Sequence, residues 1–421
     1  MNDHSRVMDV IASFRSQPCP CGRIHETAIR DIRVGSGTVH RVGEILKENG
    51  FPRALLVVAD RTTLKAADGI LESLKDFDIT LHVWDTIRVA EMKHADEIAA
   101  LIRGKDIGIL SVGTGSVNDP CRLAAAREEK PLCIFGTAPS MDGFASYSSP
   151  IVKDGFKSSY PAKSPEVVIG DTAILAKSPV RLKSAGFGDM AAKYVGLVDW
   201  KISHLLTGEY YCEKVAALTR KAVDDLMAMA PRVREDDEEA AGSVFESLLL
   251  TGIGMSFTQN SRPASGSEHI VAHLIECVEL RDGKLPNFHG EDIGVCTLEV
   301  MKVYEALAGK EKVRAVKDTP AWEEIYSYFG NMRAEVEKLN TPDTITDAVD
   351  PHAIEENWEE ISSIIRSVPS GETCRKAMKE AGCKTTVEEI GKSPALFADC
   401  MKYSPYMRRR LTLLRMKDMI K

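Results

Sequence analysis

The sequence lacks the features that would assign the chain to a membrane, a nucleic acid or a secretory route. No apolar run approaches the roughly 20 residues that a helix needs to cross a bilayer. The N-terminal segment has neither the basic start nor the apolar stretch of a signal peptide. Basic residues are not in excess, because 54 Lys and Arg stand against 62 Asp and Glu, a formal net charge of −8. We therefore expect a cytoplasmic protein that binds neither a membrane nor a nucleic acid, since phosphate neutralisation needs a basic surface.

Disulfide bonds are not expected either, although the chain has 10 cysteines, because no secretory signal is present. Only Cys19, Cys21 and His25 are clustered. Their spacing is compatible with a small metal knuckle, but no second Cys/His pair follows at the spacing of a zinc finger. We favour a structural or incidental role for these three residues.

What the sequence does have is a large apolar content and a change of pattern along the chain. Hydrophobic residues make up 44% of 421, enough for a sizeable core. Up to residue 175, short apolar runs alternate with helix-length segments, which predicts a parallel sheet covered on both faces. The predicted strands are 54–60, 79–85, 107–112 and 132–135, and the predicted helices between them include 91–103 and 118–128.

Beyond Pro179, helical periodicity dominates and β-branched runs almost vanish. The predicted helices are 185–206, 210–230, 240–258, 265–278, 292–308 and 320–338. The sequence therefore predicts an α/β domain over residues 1–178 and an all-helical domain over residues 179–421.

Two loops after predicted strands are rich in glycine and hydroxyl groups. In the first, Gly113, Gly115 and Ser116 open a helix, where free N–H groups suit a phosphate. This loop lacks the G-x-G-x-x-G spacing, so an ordinary strand–helix turn is the alternative. The second loop, 136–146, combines small residues with hydroxyls and one acid. Ligands of parallel sheets gather at such strand ends, so the two loops favour one cofactor site between them.

Asp60 ends an earlier predicted strand, where an acid can accept hydrogen bonds from a ribose. An aspartate in this position is equally often the cap of the next helix. The residue alone therefore does not decide between the two roles.

One acid and three histidines in the helical half suggest a divalent-cation site. Asp189 lies just inside a predicted helix, His269 and His273 lie four residues apart on one helix face, and His289 begins another helix. A carboxylate and two imidazoles suit a divalent cation and leave positions open for substrate oxygens. The acid precedes the first histidine, so the H-E-x-x-H protease motif is absent. The alternative is an incidental helical histidine pair.

Taken together, the motifs resemble the iron-containing alcohol dehydrogenase superfamily. Within it they resemble the branch that contains glycerol dehydrogenase, dehydroquinate synthase and glycerol-1-phosphate dehydrogenase, and the bacterial members of the last group most closely. The resemblance covers roughly residues 19–415. The motifs that carry it are GTGSVNDPCR (113–122), GTAPSMDGFAS (136–146), AGFGDMAAKYVGLVDWKIS (185–203), SRPASGSEHIVAH (261–273), HGEDIGVCTL (289–298) and the tail 406–414.

The resemblance implies a dehydroquinate synthase-like fold, in which a dinucleotide-binding domain precedes a helical metal-binding domain. It implies that dihydroxyacetone phosphate is reversibly reduced by NADH or NADPH to sn-glycerol 1-phosphate. One divalent metal (Zn, or Ni or Fe) would be held by Asp189, His269 and His289. His273 would act in acid–base chemistry.

The remaining residues of the motifs take implied roles in binding. Gly113, Gly115 and Ser116 would hold the cofactor pyrophosphate, Thr137 and Ser140 would line the nicotinamide, and Asp60 would contact the adenosine ribose, which favours NAD(H) over NADP(H). Asp142 would contact substrate hydroxyls during catalysis. We add Arg262 as the candidate ligand of the substrate phosphate, because a guanidinium fork suits phosphate. A surface ion pair is the alternative for Arg262.

Other functions remain as alternatives at this point. A glycerol or other polyol dehydrogenase would share the metal and cofactor without a phosphate preference. A dehydroquinate synthase-like lyase would need several lysines and arginines around its substrate, and few lie within the motifs. A non-catalytic nucleotide or metal sensor is disfavoured by the intact acid and histidine set. We expect a homodimer.

Overall fold

The computed structural model describes residues 5–421, and only the first four residues of the N-terminal segment considered above lie outside it. A six-stranded sheet and a separate two-stranded hairpin occupy the first half of the chain. The strands are β1 (Asp31–Gly35), β2 (Ala54–Asp60), β3 (Asp78–Trp84), β4 (Gly108–Gly113), β5 (Leu132–Gly136), β6 (Ser148–Lys153), β7 (Phe156–Pro161) and β8 (Val167–Asp171).

The large sheet is entirely parallel, with the strand order β1-β8-β5-β4-β2-β3. From β2 the chain first adds β3 on one side and then places β4 on the other side. Such a reversal opens a crevice at the carboxyl ends of the two flanking strands, where ligands of open α/β sheets bind. Asp60 ends β2 and Gly113 ends β4, so both stand at this crevice. The antiparallel hairpin β6–β7 follows the loop after β5.

Helices make up nearly all regular structure after β8. Helix α8 follows Pro179 directly, which is where the sequence predicts that strands give way to helices. The helices of the first half are α1 (Arg6–Arg15), α2 (Val42–Glu48), α3 (Arg61–Ala66), α4 (Ile70–Ser73), α5 (Met92–Ile102), α6 (Gly115–Arg127) and α7 (Thr172–Lys177). Those of the second half are α8 (Val180–Ala191), α9 (Lys193–Thr207), α10 (Glu213–Met227), α11 (Glu238–Thr258), α12 (Ser267–Arg281), α13 (His289–Ala308), α14 (Trp322–Phe329), α15 (Arg333–Asn340), α16 (Pro351–Glu356), α17 (Trp358–Arg366), α18 (Gly371–Glu380), α19 (Pro394–Tyr403) and α20 (Leu413–Met416).

The predicted fold class is confirmed. The four predicted strands are present within one residue at each end, and the predicted segment 185–206 is two helices, α8 and α9. The pattern did not single out β1, β8 or the hairpin β6–β7. These strands are short, and those of the hairpin, SSPIVK and FKSSYP, show neither a continuous apolar run nor a regular alternation. The division into domains at residues 178 and 179 stays a prediction.

One continuous core joins the sheet to the helical half. It includes Ile109 and Ile134 from the sheet and Phe245 and Leu248 from α11. Helix α11 is long and apolar enough to cross a membrane. It does not form a continuous apolar run in the sequence, because glycine, serine and threonine interrupt it. Its most apolar window is 89% buried inside the protein, as expected of a central core helix.

Helices α8 and α13 cross at very close range beside the predicted metal residues. A Cβ atom built on Gly290 would lie 1.9 Å from the carbonyl oxygen of Ala185, and one on Gly188 would lie 2.6 Å from the carbonyl oxygen of Gly290. Both obstructions are backbone atoms, which no rotamer change can move. The close approach sets the distance between the segments that carry Asp189 and His289.

We expect Gly290→Ala to lower the free energy of unfolding by about 3 kcal/mol or more, because overpacking against rigid backbone is among the costlier core changes. Chemical denaturation of the purified variant measures this. Gly309→Ala, at the exposed end of α13 where the added Cβ meets only ordinary contacts, is the matched control and is expected to be near neutral. Equal stability of the two variants would contradict the argument.

Candidate functional site

A cleft of about 190 Å³ lies between the carboxyl edge of the sheet and the helical half. The hairpin β6–β7 forms one wall of it. The cleft is lined by Arg88, Thr114, Gly115, Ser116, Ser140, Met141, Asp142, Lys157, Ser261, Ser265, His269, His273, Glu276, Phe288 and His289, among others.

The first glycine-rich loop brings an uncapped helix N-terminus to this cleft. Helix α6 begins at Gly115, and its N-cap residue Thr114 makes no side-chain capping hydrogen bond. The first-turn N–H groups therefore point toward the cleft together with the positive end of the helix dipole. Gly113 does not line the cleft. A Cβ there would meet Val117 at 2.9 Å, so this glycine allows close strand–helix packing.

Of the other predicted cofactor residues, Ser140 lines the cleft and Thr137 and Asp60 do not. Thr137 is buried behind the cleft and donates its backbone N–H to the carbonyl of Gly113. Asp60 caps α3: its Oδ1 accepts from the backbone N–H of Thr63 at 2.8 Å, and the Thr63 hydroxyl completes a capping box. The capping alternative for Asp60 is thus present in the structure. A contact of Asp60 with a ribose stays a prediction.

A buried lysine joins two carboxylates at the floor of the cleft. Lys193 Nζ lies 2.8 Å from Asp189 Oδ1 and 2.7 Å from Asp142 Oδ2, and both Lys193 and Asp189 are fully buried. The other oxygen of Asp189 accepts the backbone N–H of Asp142 at 2.9 Å. Burial alone would raise the pKa of Asp189, but the charge of Lys193 and a hydrogen bond with His269 hold it well below its usual range. Asp189 is therefore a permanent anion.

His269 sits between two acids. Its Nε2 lies 3.4 Å from Asp189 Oδ1, and its Nδ1 lies 2.6 Å from Glu268 Oε1. Burial would lower the pKa of His269, but the hydrogen bonds with Asp189 and Glu268 outweigh it and raise the pKa to about 9. Ligand atoms of Asp142, Asp189 and His269 all lie within 4.8 Å of one another. This is a plausible coordination set of carboxylate and imidazole donors.

The remaining histidines form an adjoining cluster with an acid. Ligand atoms of His273, Glu276 and His289 lie within 4.8 Å of one another, and His289 Nδ1 is 3.3 Å from Glu276 Oε1. Lys157 pairs with the other oxygen of Glu276 at 2.7 Å. Burial would raise the pKa of Glu276, but Lys157 and His289 lower it to about 2. The ring of His289 lies 5.5 Å from that of His269, so the two clusters are continuous.

The structure thus places Asp189 and His269 in the first cluster and His289 in the second, so it brings two of the three predicted metal ligands together and sets the third beside them. Their assignment as the ligands of one divalent cation stays a prediction. Sequence reasoning missed Lys193, Glu268 and Glu276. Lys193 follows Asp189 by four residues in a segment that is otherwise apolar and buried. Glu276 continues the face of α12 that carries His269 and His273. Helical spacing was thus a signal for both residues.

The geometry corrects the role suggested for Arg262. Its guanidinium donates to Glu209 Oε1 at 2.8 Å, to Ser203 Oγ at 3.1 Å and to the carbonyl of Leu411 at 2.8 Å. The residue is 3% exposed and does not line the cleft. Four of its five N–H donors are used by protein partners, two of them by the Glu209 carboxylate. The structure therefore places Arg262 in a buried ion pair outside the cleft, and not in the surface ion pair that was the alternative.

The fold has counterparts among known proteins. Residues 33–179 match the iron-containing alcohol dehydrogenase family. NADH-dependent butanol dehydrogenase A from Thermotoga maritima superposes with a TM-score of 0.62 at 16% identity, over 93% of this chain and 92% of that one. The glycerol-1-phosphate dehydrogenase [NAD(P)+] of Halalkalibacterium halodurans is 26% identical over 94% of both chains. The protein of that name from Methanosarcina mazei is 32% identical over 65% of this chain and 76% of its own length.

A parallel sheet with a phosphate-type loop, followed by helices that carry an acid and histidines, defines the class: this is an iron-containing alcohol dehydrogenase fold. Within that class, the two sequence relatives named above share one name, and the one from Methanosarcina mazei is 32% identical over 76% of its own length. The chain belongs to the glycerol-1-phosphate dehydrogenase family.

We expect metal binding to displace a proton from His269. With a pKa of about 9 this imidazole is protonated at neutral pH, so the affinity for a divalent cation should rise about tenfold per pH unit up to about pH 9. In the metal-free protein the raised pKa also contributes stability that is complete below about pH 6.5 and is lost as the pH rises through about 9. Calorimetric titration of zinc into the chelated protein, in buffers of different ionisation enthalpy, counts the protons released.

The control is Glu268→Gln, which removes one of the two acceptors that raise the pKa of His269. Fewer protons should be released from this variant at about pH 7.5, because more of its His269 is already neutral. A zinc affinity that does not change between about pH 7 and pH 9 would contradict the proposed ionisation.

Proposed function

We propose that this chain catalyses the reversible reduction of dihydroxyacetone phosphate to sn-glycerol 1-phosphate with NADH or NADPH. The observation that carries the proposal is one cleft that joins an uncapped helix N-terminus at Gly115 to the acid and histidine clusters. The first feature suits a cofactor pyrophosphate and the second a divalent cation. The names of the relatives support the substrate and the cofactor.

A cation held by Asp189, His269 and His289 would supply Lewis-acid polarisation, and NAD(P)H would supply the hydride. The chain itself has to position both. Gly115 and Ser116 offer first-turn N–H groups to the pyrophosphate, and Ser140 lines the path toward the histidines. A carboxylate at Asp60 would disfavour a 2′-phosphate, so we propose a preference for NAD(H) over NADP(H).

Asp142 is the proposed contact for a substrate hydroxyl. Its carboxylate lines the cleft while Lys193 holds one oxygen at 2.7 Å from behind. Lys193 fixes the orientation of Asp142, which leaves the second oxygen to accept a hydrogen bond from the substrate. A group held in this way loses little freedom when the substrate binds, which is how orientation lowers a reaction barrier.

His273 is the proposed proton carrier. It lines the cleft one helical turn after His269, and its ring stacks on His289 with the centroids 5.4 Å apart. Burial, together with the charges of Lys157 and His289, lowers the pKa of His273 well below its usual range, so its ring is neutral. A neutral imidazole accepts a proton at one nitrogen while it donates from the other, which suits transfer between bound substrate and solvent.

Lys157 and two serines are the proposed phosphate site in place of Arg262. Lys157, Ser261 and Ser265 all line the cleft. Arg410 lies behind the serines and donates to Ser261 Oγ at 2.6 Å and to Ser265 Oγ at 3.1 Å. A hydroxyl that accepts a hydrogen bond from Arg410 has its own hydrogen free to donate into the cleft. The serines and the ammonium group together therefore suit a dianionic phosphate.

We expect Lys157→Gln to lower kcat/KM for dihydroxyacetone phosphate by about 100-fold, as the loss of a charge-assisted hydrogen bond predicts. The loss on unphosphorylated dihydroxyacetone should be small. Glu276 keeps His289 as a partner in this variant, so the fold should persist. Lys153→Gln, on the exposed end of β6, is the control. Equal losses on the two substrates would contradict a phosphate role for Lys157.

The proposed reaction is tested with the metal-loaded enzyme by following NADH oxidation with dihydroxyacetone phosphate and by determining the stereochemistry of the product. We expect sn-glycerol 1-phosphate, and no turnover after chelation until metal is restored. Efficient use of glycerol or dihydroxyacetone without a phosphate preference would instead establish a polyol dehydrogenase.

We further propose that the enzyme is cytoplasmic and homodimeric.

A further inference from the structure

Four metal-ligand side chains converge outside the cleft. Cys19, Cys21 and His25 belong to the segment that precedes β1, and Cys212 lies immediately before α10. Their ligand atoms, three Sγ and His25 Nε2, all lie within 4.8 Å of one another. None of the four residues lines the cleft. The sequence shows only the first three, because the fourth is supplied by the helical half of the chain.

The spacing of these atoms is that of a tetrahedral zinc site. Cys19 Sγ lies 3.6 Å from Cys212 Sγ, and His25 Nε2 lies 3.3 Å from Cys21 Sγ and 3.4 Å from Cys212 Sγ. Tetrahedral zinc with bonds of about 2.3 Å to sulfur and about 2.0 Å to nitrogen places its ligand atoms about 3.5–3.8 Å apart. A disulfide would require the sulfur atoms to be about 2.05 Å apart.

The imidazole of His25 is oriented as a metal ligand is. Its Nδ1 lies 2.9 Å from the carbonyl oxygen of Phe257, a partner that can only accept a hydrogen bond. Nδ1 therefore carries the proton, which leaves the lone pair of Nε2 directed at the three sulfur atoms. Metal-bound histidines are commonly fixed in this tautomer by a carbonyl behind the ring.

Four protein ligands would fill a tetrahedral shell, so no coordination position is left for a substrate. Cys19, His25 and Cys212 are buried and Cys21 is half-buried. Three thiolates on one zinc ion leave a net charge of −1. The Tyr210 hydroxyl lies 3.4 Å from Cys21 Sγ, and the guanidinium of Arg23 stacks 3.4 Å above the Tyr210 ring. These two side chains stabilise the excess charge.

We propose that Cys19, Cys21, His25 and Cys212 bind a structural zinc ion that fastens the N-terminal segment to the helical half. Cys₃His is a common set for structural zinc, and thiolates favour zinc over the hard cations. The ion has no part in the reaction. It fixes the loop before α10, where Glu209 holds Arg262 at 2.8 Å, next to the cleft residue Ser261.

The experiment measures zinc in full-length protein with and without the cleft ligands. His269→Ala should lose the cleft metal and still retain about one zinc ion per chain, with sulfur neighbours at about 2.3 Å by X-ray absorption. Cobalt substitution of this variant should give the charge-transfer and ligand-field bands of tetrahedral thiolate coordination. Among the residues described at the cleft, no thiol is a candidate ligand, so the sulfur signal reports the proposed site alone.

Cys212→Ser should lose that zinc ion and unfold at a lower temperature. Cys374→Ser is the matched control, because Cys374 is buried like Cys212 but lies outside the cluster, and it should keep the zinc. If Cys212→Ser does not fold, the X-ray absorption and cobalt spectra of His269→Ala decide whether the bound metal has sulfur ligands. Absence of zinc after reconstitution, zinc without sulfur ligands, or a Cys19–Cys212 disulfide in peptide mapping would overturn the proposal.

Discussion

The architecture of the cleft depends on one buried ammonium group placed between two carboxylates. Lys193 lies between Asp142, on the loop after β5, and Asp189, on α8. A lone charge at such a depth would cost several kcal/mol, so none of the three groups is tolerable without the others. The pairing requires the sheet loop to lie directly against α8. Gly186 permits this, because a Cβ there would lie 1.9 Å from the carbonyl oxygen of Pro139.

This constraint explains which parts of the molecule the sequence predicts. Strands and helices follow from local periodicity, and the cleft loops follow from glycines after strands, so both can be predicted from the sequence alone. Interaction partners that are distant in sequence cannot be predicted in this way. Arg262 reads as a phosphate ligand because its neighbours are motif residues, yet Glu209 already holds its guanidinium. Cys212 likewise completes a cluster whose other members end at His25. Ion pairs and metal-ligand sets that join distant parts of the chain depend on tertiary packing, and the spacing of residues along the sequence does not reveal them.

The metal-ligand residues of the cleft differ in chemistry from the cluster of Cys19, Cys21, His25 and Cys212. In the cleft, carboxylates and imidazoles leave room for substrate oxygens, and their environment is rich in ionisable neighbours such as Glu268 and Glu276. In the thiolate cluster, the histidine is held by a backbone carbonyl. Four soft ligands suit zinc bound for stability, while a set with open positions suits catalysis. The two proposed sites share no residue, so exchange of a metal in the cleft would leave the thiolate cluster in place.

The net charge of −8 has little bearing on how the cleft binds anions. Charges on the surface are screened within about 8–10 Å at physiological ionic strength, whereas those in the cleft are partly buried. What matters there is the local arrangement: the first turn of α6, the ammonium of Lys157 and the serines polarised by Arg410. Each donor is fixed by a partner behind it. At the proposed phosphate site an anion would meet donors that are already oriented, and this preorganisation would favour a phosphorylated triose over its unphosphorylated counterpart.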